Sequence, residues 1–392
     1  MKKAWLIFFL AIISFLAGTD EYIIAGILDK IADTNHMSVS SAGQLITAFS
    51  ISFGLLTPIV IVLTRKANRR NLLIIALLIF IVSNAAVALF SDFSIMILAR
   101  IASGISAGLI EVTLLTIATA IADPHKKGSA IATIITGFSM ALIIGVPLGR
   151  FFASIFDWRF IFVGLSVLGL LFIFVVHRVM PVMKGGEEVA LKEQLLVLKN
   201  KRIASTLGIT FIWMFSYSIV FSYISPYLLE VVKITGNMVS IGLLVYGLAS
   251  IVGSKLGGFS TDRIGSVKTI YIGMAVNFVG LSAFSFIGES SLLFLFPLII
   301  WGVAAWSSGP ALQFSLITLA PSAASIILSL YTSISQLGMA FGSGLGGVIV
   351  KLGSLEMLTW TGAISVVLII IIFININRSS KTNSVSLNKS IT

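Results

Sequence analysis

Apolar runs of about 20 residues recur along almost the whole chain, and few folds can accommodate them. A helix of about that length is what crosses the hydrocarbon core of a bilayer. Twelve segments qualify: 5–32, 41–63, 71–91, 95–121, 129–153, 160–180, 203–229, 237–258, 268–287, 291–318, 326–350 and 357–376. They are continuous apolar stretches without period-two alternation, which argues against a β-barrel. With 57% hydrophobic and 10% charged residues and a mean hydropathy of +1.08, a soluble domain of 392 residues could not cover its surface. The expected fold class is an all-α membrane protein with 12 transmembrane helices. The run after Lys2 and Lys3 lacks a small-residue cleavage site, so it reads as an uncleaved first helix.

The net charge of +11 is first a topology signal. With the N-terminus inside, 20 of the 26 Lys and Arg fall on the cytoplasmic side. Lys30, Arg159, Lys233 and Lys351 fall outside, and Arg100 and Arg150 lie within helices. Such a bias places both termini in the cytoplasm of a multi-pass cell-membrane protein. The charges are dispersed over short loops, so nucleic acid is not an expected partner. Cysteine is absent, which excludes disulfide and thiol chemistry. His36, His125 and His177 fall in loops or at helix ends, so no metal site is expected. There is no P-loop, metalloprotease or nucleophile-elbow motif, so the chain does not read as an enzyme or as ATP-driven.

The chain divides around its longest internal polar segment. Residues 1–180 form a first six-helix bundle, 181–202 a cytoplasmic linker with a short amphipathic stretch at Glu187–Lys199, 203–378 a second bundle and 379–392 a tail. The halves echo each other. Asp262-Arg263-Ile264-Gly265 follows the eighth segment, and Arg65 to Arg70 follows the second at the same relative place. Gly137, Gly145, Pro147 and Gly149 in the fifth segment have a counterpart in Gly338, Gly342, Gly344, Gly346 and Gly347 of the eleventh. Parallel six-helix repeats are the construction of rocking transporters, whose glycines allow close helix approach.

Asp20 and Glu21 lie inside the first apolar segment. An unpaired charge at membrane depth costs at least about 2.5–3.5 kcal/mol, so such carboxyls are paired, protonated or both. They point about 100° apart on a helix. Glu21 shares a stripe with Ser14, Gly18 and Ala25, and Asp20 shares one with Ile13, Leu16 and Ile24. The small, weakly polar stripe makes Glu21 the better candidate for carrying a proton. Arg100 lies about 7–8 Å in from the outer face and Glu21 about 24 Å from the inner one, so both occupy the outer third of a membrane about 30 Å thick. A first-helix carboxylate can therefore pair with Arg100, and Glu21, when deprotonated, is expected to pair with it or to be solvated. Glu111 is close to three turns from Arg100 on one stripe with Gly104 and Gly108, and is a candidate for substrate or proton binding.

These motifs together resemble the major facilitator superfamily, and the resemblance covers nearly the whole chain. Asp262-Arg263-x-Gly265 resembles its loop signature, Arg100 with Gly104 its fourth-helix motif, and Gly145-Val-Pro147-Leu-Gly149 the fifth-helix motif associated with antiporters. Thr19-x-Glu21-Tyr22 and Asp157-Trp158-Arg159 are similar to the drug/proton antiporter branch that includes arabinose-type, purine-base and nucleoside efflux permeases. The resemblance implies a fold of two pseudo-symmetric halves, a proton-coupling carboxylate at Glu21 and gating through Asp262. The first-half loop departs from the pattern, with Arg65 and Asn68 where Asp and Gly are common.

The second half has no acidic or basic group deep in a helix, but is rich in aromatics and amides. Trp213 and Tyr217 on the seventh segment, Trp306 and Gln313 on one stripe of the tenth, and Gln336 on the eleventh suit a planar, moderately apolar ligand. Arg150, near the outer end of the fifth segment, reads as a capping or interfacial residue. The leading expectation is a monomeric secondary transporter that exports a drug, purine, nucleoside or sugar in exchange for protons and needs no cofactor. A proton-coupled uptake symporter is one alternative, and a non-transporting receptor or scaffold with the same fold is another.

Overall fold

A computed structural model describes residues 2–371 apart from 65, 181–182, 184–197, 285, 287–292 and 321–322. The stretch Glu187–Lys199, most of the central linker and the tail from 372 therefore lie largely outside the described residues. We label the helices in chain order: α1 Lys2–Thr34, α2 Val39–Leu63, α3 Arg69–Leu89, α4 Phe93–Ile121, α5 Lys127–Ile155 and α6 Arg159–Val179. The second half has α7 Lys201–Phe221, α8 Gly236–Ile264, α9 Ser266–Phe284, α10 Leu295–Leu319, α11 Ala324–Lys351 and α12 Glu356–Ile371. Among the described residues eleven helices are long and apolar enough to cross a membrane, and α12 is a shorter apolar helix. Their outward faces are apolar too: Leu63, Val82, Leu98, Phe174 and Phe296 are all exposed, as a lipid-facing surface requires.

The packing repeats with a period of six helices. In the first half α1 packs on α5, α2 on α4 and α3 on α4; in the second α7 packs on α11, α8 on α10 and α9 on α10. Glycines permit the equivalent close contacts. Gly137 of α5 lies against the α1 backbone at Ala11, and Gly338 of α11 against the α7 backbone at Phe211, where a side chain would clash.

The first helix of each half breaks at the matching place. Ile27 interrupts α1 with φ −125° and ψ 18°. Tyr223, just after α7, has φ −115° and ψ 18° and starts a short helix, Ile224–Glu230. Pro226 explains the second break, because it lacks the N–H that would bond the Ser222 carbonyl. The seventh apolar segment, expected as one helix, is thus two pieces. Two further irregularities precede prolines. Ser52–Leu56 in α2 and Ala141–Gly145 in α5 are π-helical turns, followed by Pro58 and Pro147.

The halves meet along α2–α11, its pseudo-symmetric counterpart α5–α8, and α1 with the short helix. Ser40 Oγ donates to the Gly347 carbonyl at 2.6 Å, and Thr47 and Ser343 share a bond of 2.7 Å. Ser225 Oγ donates to the Gly26 carbonyl at 2.8 Å, beside the break at Ile27. All these bonds lie in the part of the molecule away from the N-terminus. No comparable packing joins the opposite ends of α4 and α5 to those of α10 and α11 among the described residues. The molecule is closed on one face and parted on the face that carries the N-terminus.

Candidate functional site

Where the seam ends, in the middle of the molecule, the first-half carboxylates and the second-half aromatics come together. Asp20 and Glu21 take opposite parts. Asp20, fully buried, accepts a hydrogen bond from Arg100 Nη1 at 2.6 Å, and Arg100 Nη2 donates to the Asp20 backbone carbonyl at 3.1 Å. The guanidinium also lies 4.4 Å from the Phe49 ring centroid. Of the two first-helix carboxylates within reach of Arg100, the one that pairs with it is Asp20, not Glu21. The cause is the direction of the α1 faces. The Asp20 face turns into the first half toward α4, while the Glu21 face turns to the seam.

Glu21 is 3% exposed and bonds across the halves, accepting from Gln336 Nε2 at 3.0 Å. Its other oxygen, Oε2, and Gln336 Oε1 are buried without a hydrogen-bond partner. A carboxylate in that setting has an amide for company and no base bonded to it. Glu111 of α4 is half-buried and accepts from Ser14 Oγ at 2.7 Å; Ser14 in turn reaches the Ile134 carbonyl of α5 at 3.0 Å. Glu111 and Glu21 are near enough to repel each other.

The antiporter-like motif lies directly beside them. Gly145 packs on Thr19, where an added Cβ would come within 2.5 Å of the threonine hydroxyl, and Gly149 packs on Ile23. Pro147 starts the α-helical stretch after the π-turn. The motif thus holds α5 tightly against the α1 turns that carry both acids. Arg150, one residue on, is buried and anchored to the Asp29 carboxylate, and it also donates to the Gly26 carbonyl at 3.3 Å. It ties α5 to α1 within the first half rather than facing the site.

The second half supplies a continuous aromatic wall. Tyr217 stacks on Phe221 at 5.0 Å between centroids and meets Trp306 edge-on at 5.9 Å. Phe221 meets Tyr22 of the first half at 6.3 Å, and Tyr22 meets Phe138 of α5 at 6.1 Å. Tyr246 and Trp301 back this wall, 4.8 Å apart. The hydroxyls of Tyr217 and Tyr246 and the indole N–H of Trp306 approach one another without a well-formed hydrogen bond. Trp306 and Gln313 are half-buried on the same helix, Gln313 beside the Tyr331 hydroxyl. Pro310 leaves the Trp306 carbonyl without its usual helical donor. Trp213 differs from the others: it is buried and its Nε1 already donates to the Ala305 carbonyl at 3.0 Å, which makes it a packing residue between α7 and α10.

The loop motif is remote from this centre. Asp262 and Arg263 are exposed at the parted end, with the Arg263 guanidinium 4.5 Å from the Phe259 ring centroid. Gly265 ends α8 at φ +86°, a conformation that favours glycine. At the corresponding first-half place Asn68 caps α3, accepting from the Arg70 backbone N–H at 3.0 Å. Sequence reasoning did not single out Phe49, Phe138 or Asp29; an aromatic opposite an arginine leaves no spacing signal in a single chain.

The sequence profile of the Major Facilitator Superfamily matches residues 10–343 and 209–390. The chain is 44% identical over 371 residues to an uncharacterized MFS-type transporter, YbcL, of Bacillus subtilis (strain 168), covering 95% of each protein. It is 30% identical over 363 residues to a second one from that strain, YtbD, covering 91% of each. Among solved structures it is similar to a bacterial homologue of the human lysosomal transporter Spinster in an inward-facing, unoccupied conformation, with a TM-score of 0.75, 15% identity and coverage of 95% of this chain and 96% of that one. The occupied, inward-facing form of that homologue gives a TM-score of 0.76 at 16% identity, with coverage of 96% and 97%. With its helices repeating in sixes and its profile matched from end to end, this chain belongs to the major facilitator superfamily of membrane transporters.

Proposed function

We propose that the protein exports a small molecule across the cell membrane in exchange for protons, by alternating access, with Glu21 as the proton-carrying group. One observation carries this reading: Glu21 is a buried carboxylate without a bonded base, tied across the seam to Gln336. When protonated it fits a dry, closed centre, and when ionised it needs water or a cation. Opening and closing the seam changes which of these it has, so conformation and proton occupancy are linked. The Lys and Arg bias supports a cytoplasmic position for both termini, and hence for the parted face, where an exporter collects its substrate. Asp20 with Arg100 is then a structural pair, and Asp262 with Gly265 a gating element at the parted end.

The reading is tested in inverted membrane vesicles, by screening aromatic drugs, nucleosides and sugars under an imposed pH gradient. Accumulation of one class that stops when a protonophore collapses the gradient supports export by antiport. Accumulation only under the opposite gradient would make the protein an uptake symporter. If no class responds in either direction, a receptor or scaffold role takes its place.

A further inference from the structure

We propose that the first half carries, at the parted face, a binding site for an anionic phospholipid, whose phosphate is held by Arg70 of α3 and Arg178 of α6. The site lies on the outside of the bundle, away from the seam, and does not depend on the transport reading above.

The corner where α3 begins and α6 ends is basic by sequence. No acidic residue occurs between Asp33 and Asp92 or between Asp157 and Glu187, whereas Lys66, Arg70, His177 and Arg178 all fall in these stretches. The corresponding loop of the second half sets Asp262 beside Arg263. The structure fixes Arg70 at the junction of the two helices. Its Nη1 donates to the Met180 carbonyl at 3.3 Å, and its Nη2 lies 3.2 Å from His177 Nδ1. An arginine has no acceptor, so the imidazole accepts this bond and is neutral while it does. Both partners of the guanidinium are thus uncharged, and its Nε has no hydrogen-bond partner. The corner is also tied to the start of the linker. The Met183 N–H donates to Asn68 Oδ1 at 3.4 Å, and the Arg69 N–H donates to the Met183 carbonyl at 3.0 Å. Arg70 is therefore a positive charge held in place and left without a counter-charge.

Arg178 supplies the membrane side. Val167, Leu171, Phe174 and Arg178 share one stripe of α6, at spacings of four, three and four, and the three apolar members are exposed. The Arg178 guanidinium lies 5.1 Å from the Phe174 ring centroid. A long basic side chain at the end of a lipid-facing stripe lies along the apolar surface and puts its charge at headgroup level. On α3, Ile75 and Leu78 are exposed beyond Arg70. The corner thus offers guanidiniums that match a phosphate fork for fork, next to apolar surface that suits an acyl chain. A free phosphate would use only the first of these. A zwitterionic lipid would bring its own ammonium to a corner built from two segments without a carboxylate.

The test uses the purified full-length protein, stripped of lipid in detergent. Lipid retention by native mass spectrometry and melting temperature are followed as dioleoylphosphatidylglycerol, dioleoylphosphatidylcholine or glycerol 3-phosphate is added. Phosphatidylglycerol is expected to bind and stabilise at about tenfold lower concentration than phosphatidylcholine, with glycerol 3-phosphate at the same concentration doing neither. Arg70→Gln with Arg178→Gln should remove that tenfold preference. Lys126→Gln with Lys268→Gln removes the same charge from exposed places on the same face, and should keep it. Equal binding of the two lipids overturns the proposal. Equal loss in both double variants also overturns it, because the attraction is then that of a diffusely basic surface. Protection by glycerol 3-phosphate as strong as by the lipid would make the corner a site for a soluble anion, and overturns it too. If Arg70→Gln with Arg178→Gln does not fold, Arg178→Gln alone, on the exposed stripe, takes its place and should lose part of the preference; a wild-type preference there counts against the site.

Discussion

Asp20 and Glu21 are neighbours in sequence, yet they sit in two regions of opposite character. The Asp20 side of α1 faces the interior of the first half, where an arginine and an aromatic ring fix it. The Glu21 side faces the seam, where it meets a neutral amide of the other half and a wall of rings. The first region is the same whether the halves are together or apart, because α1 and α4 belong to one half. The second exists only while the halves touch. A charge held in the first is architecture, and a charge held in the second can report, and respond to, the conformation of the protein.

The most disruptive way to break this contrast is Arg100→Ala. It leaves Asp20 buried without a partner and should destabilise the protein by about 3–5 kcal/mol, seen as a large fall in melting temperature in detergent. Replacing both partners by apolar residues, Asp20→Leu with Arg100→Met, should recover much of the loss. If Arg100→Ala alone melts like the wild type, the pair is not structural.

Gln336→Ala should act on the seam rather than on the fold. It removes a hydrogen bond to a carboxylate, an interaction of about 1.5–3 kcal/mol. The population should move toward the state open on the other face. Spin labels at Lys127 and Lys268, on the parted face, would then show shorter distances than in the wild type. Unchanged distances would mean that Gln336 does not hold the seam.

The smallest effect is expected far from both regions. Lys3 and Asp123 form an exposed ion pair at 2.8 Å, and Lys3 holds the Asp123 carboxyl below its ordinary value of 3.8. A lowered carboxyl contributes whatever stability it gives above the ordinary value, and loses it as pH falls through the lowered one. Asp123→Asn should therefore lower the neutral-pH melting temperature only slightly, and that small difference should shrink as pH falls below about 4 and vanish in stronger acid. A large neutral-pH shift would show that the pair does more than decorate the surface.

Much of this architecture was legible in the sequence, because bilayer thickness imposes length and apolarity on every span. The helix repeats, the loop motif with Gly265 and the fifth-helix motif also announced themselves. The partner of Arg100 did not. Periodicity separates Asp20 from Glu21 by about 100°, but it cannot say which face turns toward α4, and the depth estimate fits both acids. The break before Tyr223 had a signal in Pro226 that the apolar run concealed, while the matching break at Ile27 has no proline to betray it. The stripe shared with Gln313 favoured Trp306 in the sequence, but nothing there told how Trp213 differs from it. Only the structure gives one a backbone acceptor and leaves the other facing Tyr217.

Proteoliposomes loaded with a substrate found in the vesicle screen, with a pH gradient imposed, test the role of Glu21 most directly. Wild-type protein should concentrate the substrate against its gradient. Glu21→Gln, which mimics the protonated state, should abolish that uphill movement and its proton flux, while downhill exchange and a wild-type melting temperature persist. Uphill, proton-driven transport at the wild-type rate in Glu21→Gln would contradict the account and pass the role to Asp20 or Glu111.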